Sequence, residues 1–231
     1  MKKFALCLLA ATATVVALHA AELPVVASRL VTGPNSHVDL TNTSSQPVTA
    51  WTLVVTTTQP DGTVHRATET VDAYLSEVTK EFAGMSARVE RLLPGQTREI
   101  ALDPAGTGAI AEVTAVILQD GTALGDPEAL ASVFEHRAQE RDQLHEVVNV
   151  FESVLPSSRG AAALEGLKRA FAIQAAQGES AAHQSAREAV DVYLQRATPA
   201  TADAVDQLLR AYADIVRREY DLAEKHSHRK N

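Results

Sequence analysis

Apolar residues recur at every second position through much of the chain up to residue 118, and at every third or fourth position from residue 127 onward. Those two periods mark half-buried strands and amphipathic helices. Residues 48–58, VTAWTLVVTTT, form the strongest predicted strand, almost wholly β-branched or aromatic, with Trp51, Leu53 and Val55 on one face. Residues 25–31 and 37–41 are predicted strands separated by Gly33-Pro34-Asn35. In the second of these, Val38 and Leu40 oppose His37, Asp39 and Thr41. A polar turn at 42–47 precedes the strong strand, and Pro60-Asp61-Gly62 turns the chain into 63–67. Residues 70–75 read as a strand and 76–82 as a helical turn or crossover loop. Alternation returns at 85–91 and 98–102, on either side of Leu93-Pro94-Gly95, and a Gly- and Pro-bearing loop at 103–108 follows.

The stretch 112–128, EVTAVILQDGTALGDPE, joins the two patterns. Val113, Ala115 and Ile117 alternate with Thr114, Val116 and Leu118, so both faces are largely apolar and a central strand is predicted. Asp120-Gly121 ends it, since both residues tolerate positive φ. Asp126-Pro127 then opens a helix: the carboxylate accepts an otherwise unpaired N–H, and proline at the first helical position has φ preset and loses no hydrogen bond. A late strand is thus expected to feed directly into a capped helix.

Four helices follow. The first, 127–155, carries Leu130, Val133 and Phe134 near its start and Leu144, Val147, Val148, Phe151, Val154 and Leu155 near its end. Its middle, EHRAQERDQ at 135–143, is nearly all polar and is expected to be solvated or weakly supported. The second, 161–177, carries Leu164, Leu167, Phe171 and Gln174 and stops at Gly178. The third, 181–196, capped by Ser180, turns Ala182, Ala186, Ala189, Val190 and Tyr193 inward. Thr198-Pro199 opens the last, with Val205, Leu208, Leu209, Tyr212, Ile215, Val216 and Leu222 along it. Short loops favour antiparallel neighbours in a small bundle.

About seven strands with turns every 8–12 residues point to an antiparallel sandwich. Two segments add to this: VDLTNTSSQPVTAWTLVV at 38–55 and LLPGQT at 92–97. There a strand ends in a polar Asn/Ser turn, the next begins just after a proline, and a later Pro-Gly turn precedes a strand. This grammar resembles the immunoglobulin-like modules of exported bacterial proteins. The resemblance covers the first half of the chain only. It implies an α+β fold with an N-terminal antiparallel immunoglobulin-like β-sandwich at 22–125, Trp51 in its core, followed by a C-terminal bundle of about four α-helices at 126–231. It also implies a bias towards binding or structural roles, and brings no active site with it.

Composition sharpens the picture at the N-terminus. Met1-Lys2-Lys3 followed by an apolar run at 4–18 and small residues reads as a signal peptide over 1–21, with cutting expected after Ala20. The run falls short of the roughly 20 residues that a membrane span needs. The single cysteine, Cys7, lies inside this segment, so the mature chain is expected to lack disulfides and thiolate chemistry. Loss of Lys2 and Lys3 takes the charge from 21 basic against 29 acidic to 19 against 29, or −10. Such a chain would repel nucleic acid and anionic lipid. The one basic run, KHSHRKN at 225–231, reads as a frayed, solvated terminus.

Candidate chemistry is sparse. His136 and Glu140 stand one helical turn apart on one face, the right spacing for two metal ligands, but equally for a solvated pair. His145, nine residues on, is about 180° round the helix from His136 and cannot join them. His226 and His228 flank Ser227 in the tail and suit only adventitious metal. His37 and Asp39 share an outer strand face and are expected to pair structurally. Ser180 with His183 reads as a helix start, and no G-x-S-x-G elbow exists. Asp61-Gly62 and Asp120-Gly121 are turn signals, lacking the alternating ligands of a calcium loop. No catalytic, cofactor-binding or metal-ligating residues are therefore assigned, and no cofactor is expected. The leading expectation is an exported, non-enzymatic module for protein–protein interaction or envelope structure. Its partner would be another exported or envelope protein, with no nucleic acid and no stable membrane span after signal cleavage. One alternative is a hydrolase, possibly metal-dependent, with a site between the two domains that draws on His136 and Glu140. Another is small apolar ligand binding in the helical domain, among Leu164, Phe171, Tyr193 and Tyr212.

Overall fold

The computed structural model describes residues 23–59, 61–75, 91–102, 108–176, 178, 180–197 and 201–229, with the side chains of 181, 183 and 193–197 set aside. The expected signal segment at 1–21, Pro60, the readings at 76–90 and 103–107, Thr198-Pro199 and the side chains of His183 and Tyr193 lie outside what is described.

The protein is α+β. Its strands, in chain order, are β1 (Val25–Val31), β2 (His37–Asn42), β3 (Val48–Thr58), β4 (Val64–Asp72), β5 (Thr97–Ala101), β6 (Ile110–Leu118) and β7 (Ala123–Gly125). They form two antiparallel sheets, ordered β1-β2-β5 and β4-β3-β6-β7. Val25, Val38 and Leu40 from the first sheet and Trp51, Leu53 and Val116 from the second are buried in one shared core. Trp51 is 2% exposed, packed in that core with Leu53 and Val116.

The two segments that carry the sequence resemblance meet in space. Asn42, fully buried, donates from Nδ2 to the carbonyls of Gln46 and Leu92 at 2.8 Å each. Its Oδ1 accepts the N–H of Ser44 at 2.9 Å. One amide thus closes the polar turn after β2 and ties it to the chain before β5, which explains how a buried Asn is tolerated there.

Strand β6 lies between β3 and β7 and is buried on both faces, as expected for a central strand. The facing differs from the alternation. Thr52 pairs with Ala115 but Leu53 pairs with Val113, so Thr114 is an extra residue in a bulge. The bulge turns Val113 to the inner core with Val116 and Leu118, leaving Ala115 and Ile117 on the outer face. A second shift, at Thr49 of β3, places Val48 inward and Ala50 outward; Thr49 Oγ1 donates to the Ile117 carbonyl at 3.1 Å. Strand β4 runs unbroken through the two short runs read separately in the sequence. Strand β7 is new: three residues, Ala-Leu-Gly, are too few to show a period.

Four helices follow: α1 (Pro127–Val154), α2 (Gly160–Ala175), α3 (Ala181–Ala197) and α4 (Ala202–His226). As expected, Asp126 caps α1, accepting the Ala129 N–H at 3.0 Å with Pro127 at the first helical position. Leu130 and Val133 then pack on Ala50, Ala115 and Ile117, covering the outer face of the sheet. Leu164, Leu167 and Phe171 of α2, Ala186 and Val190 of α3, and Val205 and Leu209 of α4 join Val147 and Phe151 in a second core. Phe151 meets Phe171 and Tyr212 edge-on at 5.8 and 5.7 Å between ring centres.

Three expectations need correction. The cap of α4 is Thr201, whose hydroxyl accepts the Ala204 N–H at 3.3 Å, since the helix starts later than Thr198-Pro199 suggested. Leu208 is 44% exposed, because the inward stripe of α4 runs through Leu209 instead. The C-terminal run does not fray at Lys225: α4 continues through His226, and Ser227 is buried. Among the described residues no helix is long and apolar enough to cross a membrane.

Gly125 is the tightest point of the join between sheet and helix. Its φ is +110°, and an added Cβ would lie 2.2 Å from the Thr114 carbonyl oxygen, the same oxygen that accepts the Asp126 N–H at 2.8 Å. Gly62 also has positive φ, +85°, but open space around it. Gly125→Ala is therefore expected to destabilise by about 3 kcal/mol or more, and Gly62→Ala by about 1 kcal/mol, since only the first combines strain with a backbone clash. Urea unfolding of the two variants measures the difference, and equal losses would show that the close approach does not matter.

Candidate functional site: a buried arginine and an adjoining cleft

The polar middle of α1, expected to be solvated, is where three elements meet. Arg137 is fully buried. Its Nε and Nη2 donate to the two carboxylate oxygens of Asp72, at the end of β4, at 2.6 and 2.8 Å. Its Nη1 donates to the carbonyl of His226, at the end of α4, at 3.3 Å. The guanidinium carbon lies 4.5 Å from the centre of the Tyr74 ring and 5.8 Å from that of Phe134. A planar fork can do all of this at once, because it pairs with the carboxylate through two bonds, stacks on an aromatic face, and still donates to a carbonyl.

Neighbouring groups extend the contact. Arg141 Nη1 donates to Ser227 Oγ at 3.2 Å, and that hydroxyl lies 3.2 Å from the Glu224 carbonyl as its donor. Two arginines of α1 thus serve the last turn of α4, where unpaired carbonyls and the negative end of the helix dipole favour cations. The Tyr74 hydroxyl donates to Glu140 Oε2 at 2.8 Å. Burial first, then the Glu140 charge and its hydrogen bond, and then Asp72 hold the Tyr74 hydroxyl well above the usual phenol range, against the opposing pull of Arg137.

Beside this knot a cleft of about 490 Å³ opens between α1, α3 and α4. Leu144, Val147, Ala186, Ile215 and Val216 form its apolar lining. His136, Gln139, Glu140 and Glu219 supply polar groups, and Leu75 joins from the chain just after Tyr74. The knot fixes one wall, because Tyr74 holds Glu140 and Asp72 holds the strand end that delivers Leu75.

The residues singled out in the sequence fall as follows. His136 and Glu140 both line the cleft, but Glu140 is engaged with Tyr74. His145 stacks on Tyr220 with 5.1 Å between ring centres, away from His136 as the helical angle requires. His37 and Asp39 do not pair with each other. Asp39 bonds Arg29 at 2.8 Å across to β1, while His37 lies 3.6 Å from Glu99 across to β5 and contacts the Asn35 carbonyl at 3.1 Å. Cross-strand neighbours on the same face are closer than the next residue but one on the same strand. His226 gives its carbonyl to Arg137, and His228 is exposed nearby. Asp61 and Asp120 close turns by accepting the N–H groups of Thr63 and Thr122, each at 2.9 Å. The Thr63 N–H also holds the Asp61 carboxyl below its usual range. Of the residues expected around an apolar pocket, Leu164 and Phe171 are fully buried in the helical core and Tyr212 lines the cleft. Sequence reasoning misses Asp72, Tyr74 and Arg137 altogether. Among the described residues no group of three His, Cys, Asp or Glu side chains is placed to hold a metal ion.

No protein-family model matches this chain, and no curated protein does. Among solved structures it is similar to an X-ray structure of a hypothetical protein from Peptoclostridium difficile 630, with 13% identity and a TM-score of 0.29 over 48% of this chain and 91% of that one. Likeness at that level leaves the fold and the site to be judged on this chain's own residues.

Arg137→Met should cost about 3–5 kcal/mol, because it strands the Asp72 carboxylate in a site that remains largely closed to water. Combining it with Asp72→Asn should restore a large part of the loss. Chemical denaturation of the two single variants and the double variant measures the coupling; additive losses would mean the pair is not a unit. The tyrosine makes a separate prediction. Its folded-state hydroxyl stays protonated when the unfolded phenol ionises near its ordinary 10.0. Stability from this group is thus complete below that pH and falls as pH rises beyond it. Denaturation midpoints from pH 8 to 11 should decline in the wild type and decline less steeply in Tyr74→Phe.

Proposed function

We propose that the chain is an exported, non-enzymatic module for protein–protein interaction or envelope structure. In this reading residues 1–21 are a signal peptide, 22–125 an immunoglobulin-like β-sandwich, and 126–231 a bundle of about four helices. The strand order supports the sandwich: the chain changes sheet after β2, β4 and β5, and places three strands against four, as Greek-key sandwiches of this type do. The shared helical core supports the bundle.

The observation that carries the non-enzymatic role is where the reactive side chains are spent. Glu140 accepts from Tyr74, His145 stacks on Tyr220, and Asp39 and His37 lie in cross-strand pairs. A general base needs a free lone pair aimed at a substrate proton, and a nucleophile needs a base within reach. Those contacts orient the groups for structure instead. The hydrolase alternative keeps His136, which lines the cleft beside Glu140.

Export is tested by the mass of the protein recovered from its native host. A mature chain beginning at Ala21 outside the cytoplasm is expected, and an intact Met1 in the cytoplasm contradicts it. The role is tested by in-cell cross-linking, which should join the mature chain to another exported or envelope protein. Purified chain is expected to turn over no ester, peptide or phosphate ester. Turnover that disappears in a folded His136→Ala variant would favour the hydrolase.

A further inference from the structure

We infer that the corner between α1 and α2 is an electrostatic clasp, the end of the α1–α4 pair that opens first while the Arg137 knot stays shut. This goes beyond the interaction role and does not depend on it. The clasp is made by Asp206 and Arg210, one turn apart on α4 and joined from Nε to Oδ2 at 2.9 Å. Each of them serves one of the two helix ends that meet at the corner.

The arginine takes the end of α1. Its Nη2 donates to the carbonyl of Leu155, the C-cap of that helix, at 3.4 Å. Helix α1 has no basic residue in its own last turn, so the cation that its negative dipole end favours comes from α4. The aspartate takes the start of α2. That helix has no acidic residue in its first turn, and Arg159 at its N-cap makes no capping hydrogen bond with its side chain. Gly160, with φ of +54°, brings the helix start against α4: an added Cβ would lie 3.0 Å from the Ala202 Cβ, one turn before Asp206. Arg210 first, and after it the Gly160 N–H and the Arg159 charge, hold the Asp206 carboxyl below its usual range against the cost of burial. Oδ1 is buried without a full hydrogen bond among the described residues, so its hold on the helix start is mainly electrostatic.

The arrangement mirrors the knot. Arg137 of α1 reaches the carbonyl of His226 at the end of α4, and Arg210 of α4 reaches that of Leu155 at the end of α1. Each arginine has an aspartate on its Nε, Asp72 in the first case and Asp206 in the second. Exposure separates the two, since the Arg137 side chain is 1% exposed and that of Arg210 is 45% exposed. A buried pair cannot part without stranding a charge, whereas an exposed pair parts into water and is weakened by salt. One end of the α1–α4 pair is therefore fixed, and the other can release within the folded state. Release frees the first turn of α2, where the Ala163 N–H bonds the Arg159 carbonyl at 3.4 Å.

The test is amide hydrogen exchange of the purified full chain, each rate corrected for its intrinsic value. Amides of Ala163 and Leu164 report the first turn of α2, and those of Arg137 and Arg141 report the knot. In the wild type the first two should be about tenfold or more less protected than the second two. Asp206→Asn should lower protection at Ala163 and Leu164 a further fivefold or so, the worth of a lost helix cap. It should leave Arg137 and Arg141 within about twofold. Asp206→Arg combined with Arg210→Asp keeps the net charge and an ion pair one turn apart, but presents each charge to the wrong helix end. This swap should lose at least as much protection as Asp206→Asn. Glu152→Gln, which breaks the exposed pair with Arg217, should alter neither set of amides. Should the swap fail to fold, Asp206→Asn against Glu152→Gln decides. Equal protection of the two sets in the wild type, no loss in Asp206→Asn, or an equal loss at the knot would each overturn the clasp. So would wild-type protection in the swap, or the same loss in Glu152→Gln.

Discussion

Arg137 sits at the crossing of a sheet, a long helix and the end of the chain's last helix, and its charge is held there by Asp72. Taking a guanidinium and a carboxylate out of water costs several kcal/mol per ion, which their attraction offsets only when the geometry is good and the remaining donors are used. Both conditions are met: the pairing is two-pronged, and Nη1 goes to a helix-end carbonyl. Removing either partner leaves the other buried and unmatched. The pair therefore acts less as a source of net stability than as a constraint on which arrangements of β4, α1 and α4 are tolerable.

That constraint works together with two apolar contacts. At the start of α1, Leu130 and Val133 lie on the outer face of the sheet, a face that exists because the bulges at Thr49 and Thr114 turn Ala50, Ala115 and Ile117 outward. At its far end, Val147 and Phe151 enter the helical core. Helix α1 thus bridges two cores, and the arginine pins it between them. Tyr74 and Leu75 leave the end of β4 and pack with the helices, so the strand half of the chain contributes directly to the helical core and to the wall of the cleft.

Much of this is legible in residue order. The alternation of 37–41 and 48–58 places Val38, Leu40, Trp51 and Leu53 in a core, and Asp126-Pro127 marks the start of α1 to the residue. The bulge at Thr114 is not legible, because an extra residue inverts a face without changing composition, and only the partner strand reveals it. The short β7 has too few residues to show a period. Arg137 is hidden for a different reason. A run such as EHRAQERDQ looks solvated whenever its partners are far away in sequence, and Asp72 and His226 are separated from Arg137 by 65 and 89 residues. Periodicity reports burial of apolar groups; it is silent about a charge that is buried with its counter-ion. The tail misleads on the same ground, since KHSHRKN carries no sign that its backbone carbonyl and Ser227 hydroxyl are wanted by α1. Spacing finds His136 and Glu140, yet it cannot tell that Tyr74 takes up the glutamate.

The sheets and the helices are held as one cooperative unit through α1, which packs on both cores. Trp51, the single tryptophan, lies in the core between the sheets, while the far-ultraviolet dichroism at 222 nm reports mainly the helices, so one denaturant titration follows both. A single transition is expected, with the same midpoint and slope by Trp51 fluorescence and by dichroism. Two separated transitions, with the helices melting while the tryptophan remains buried, would contradict it.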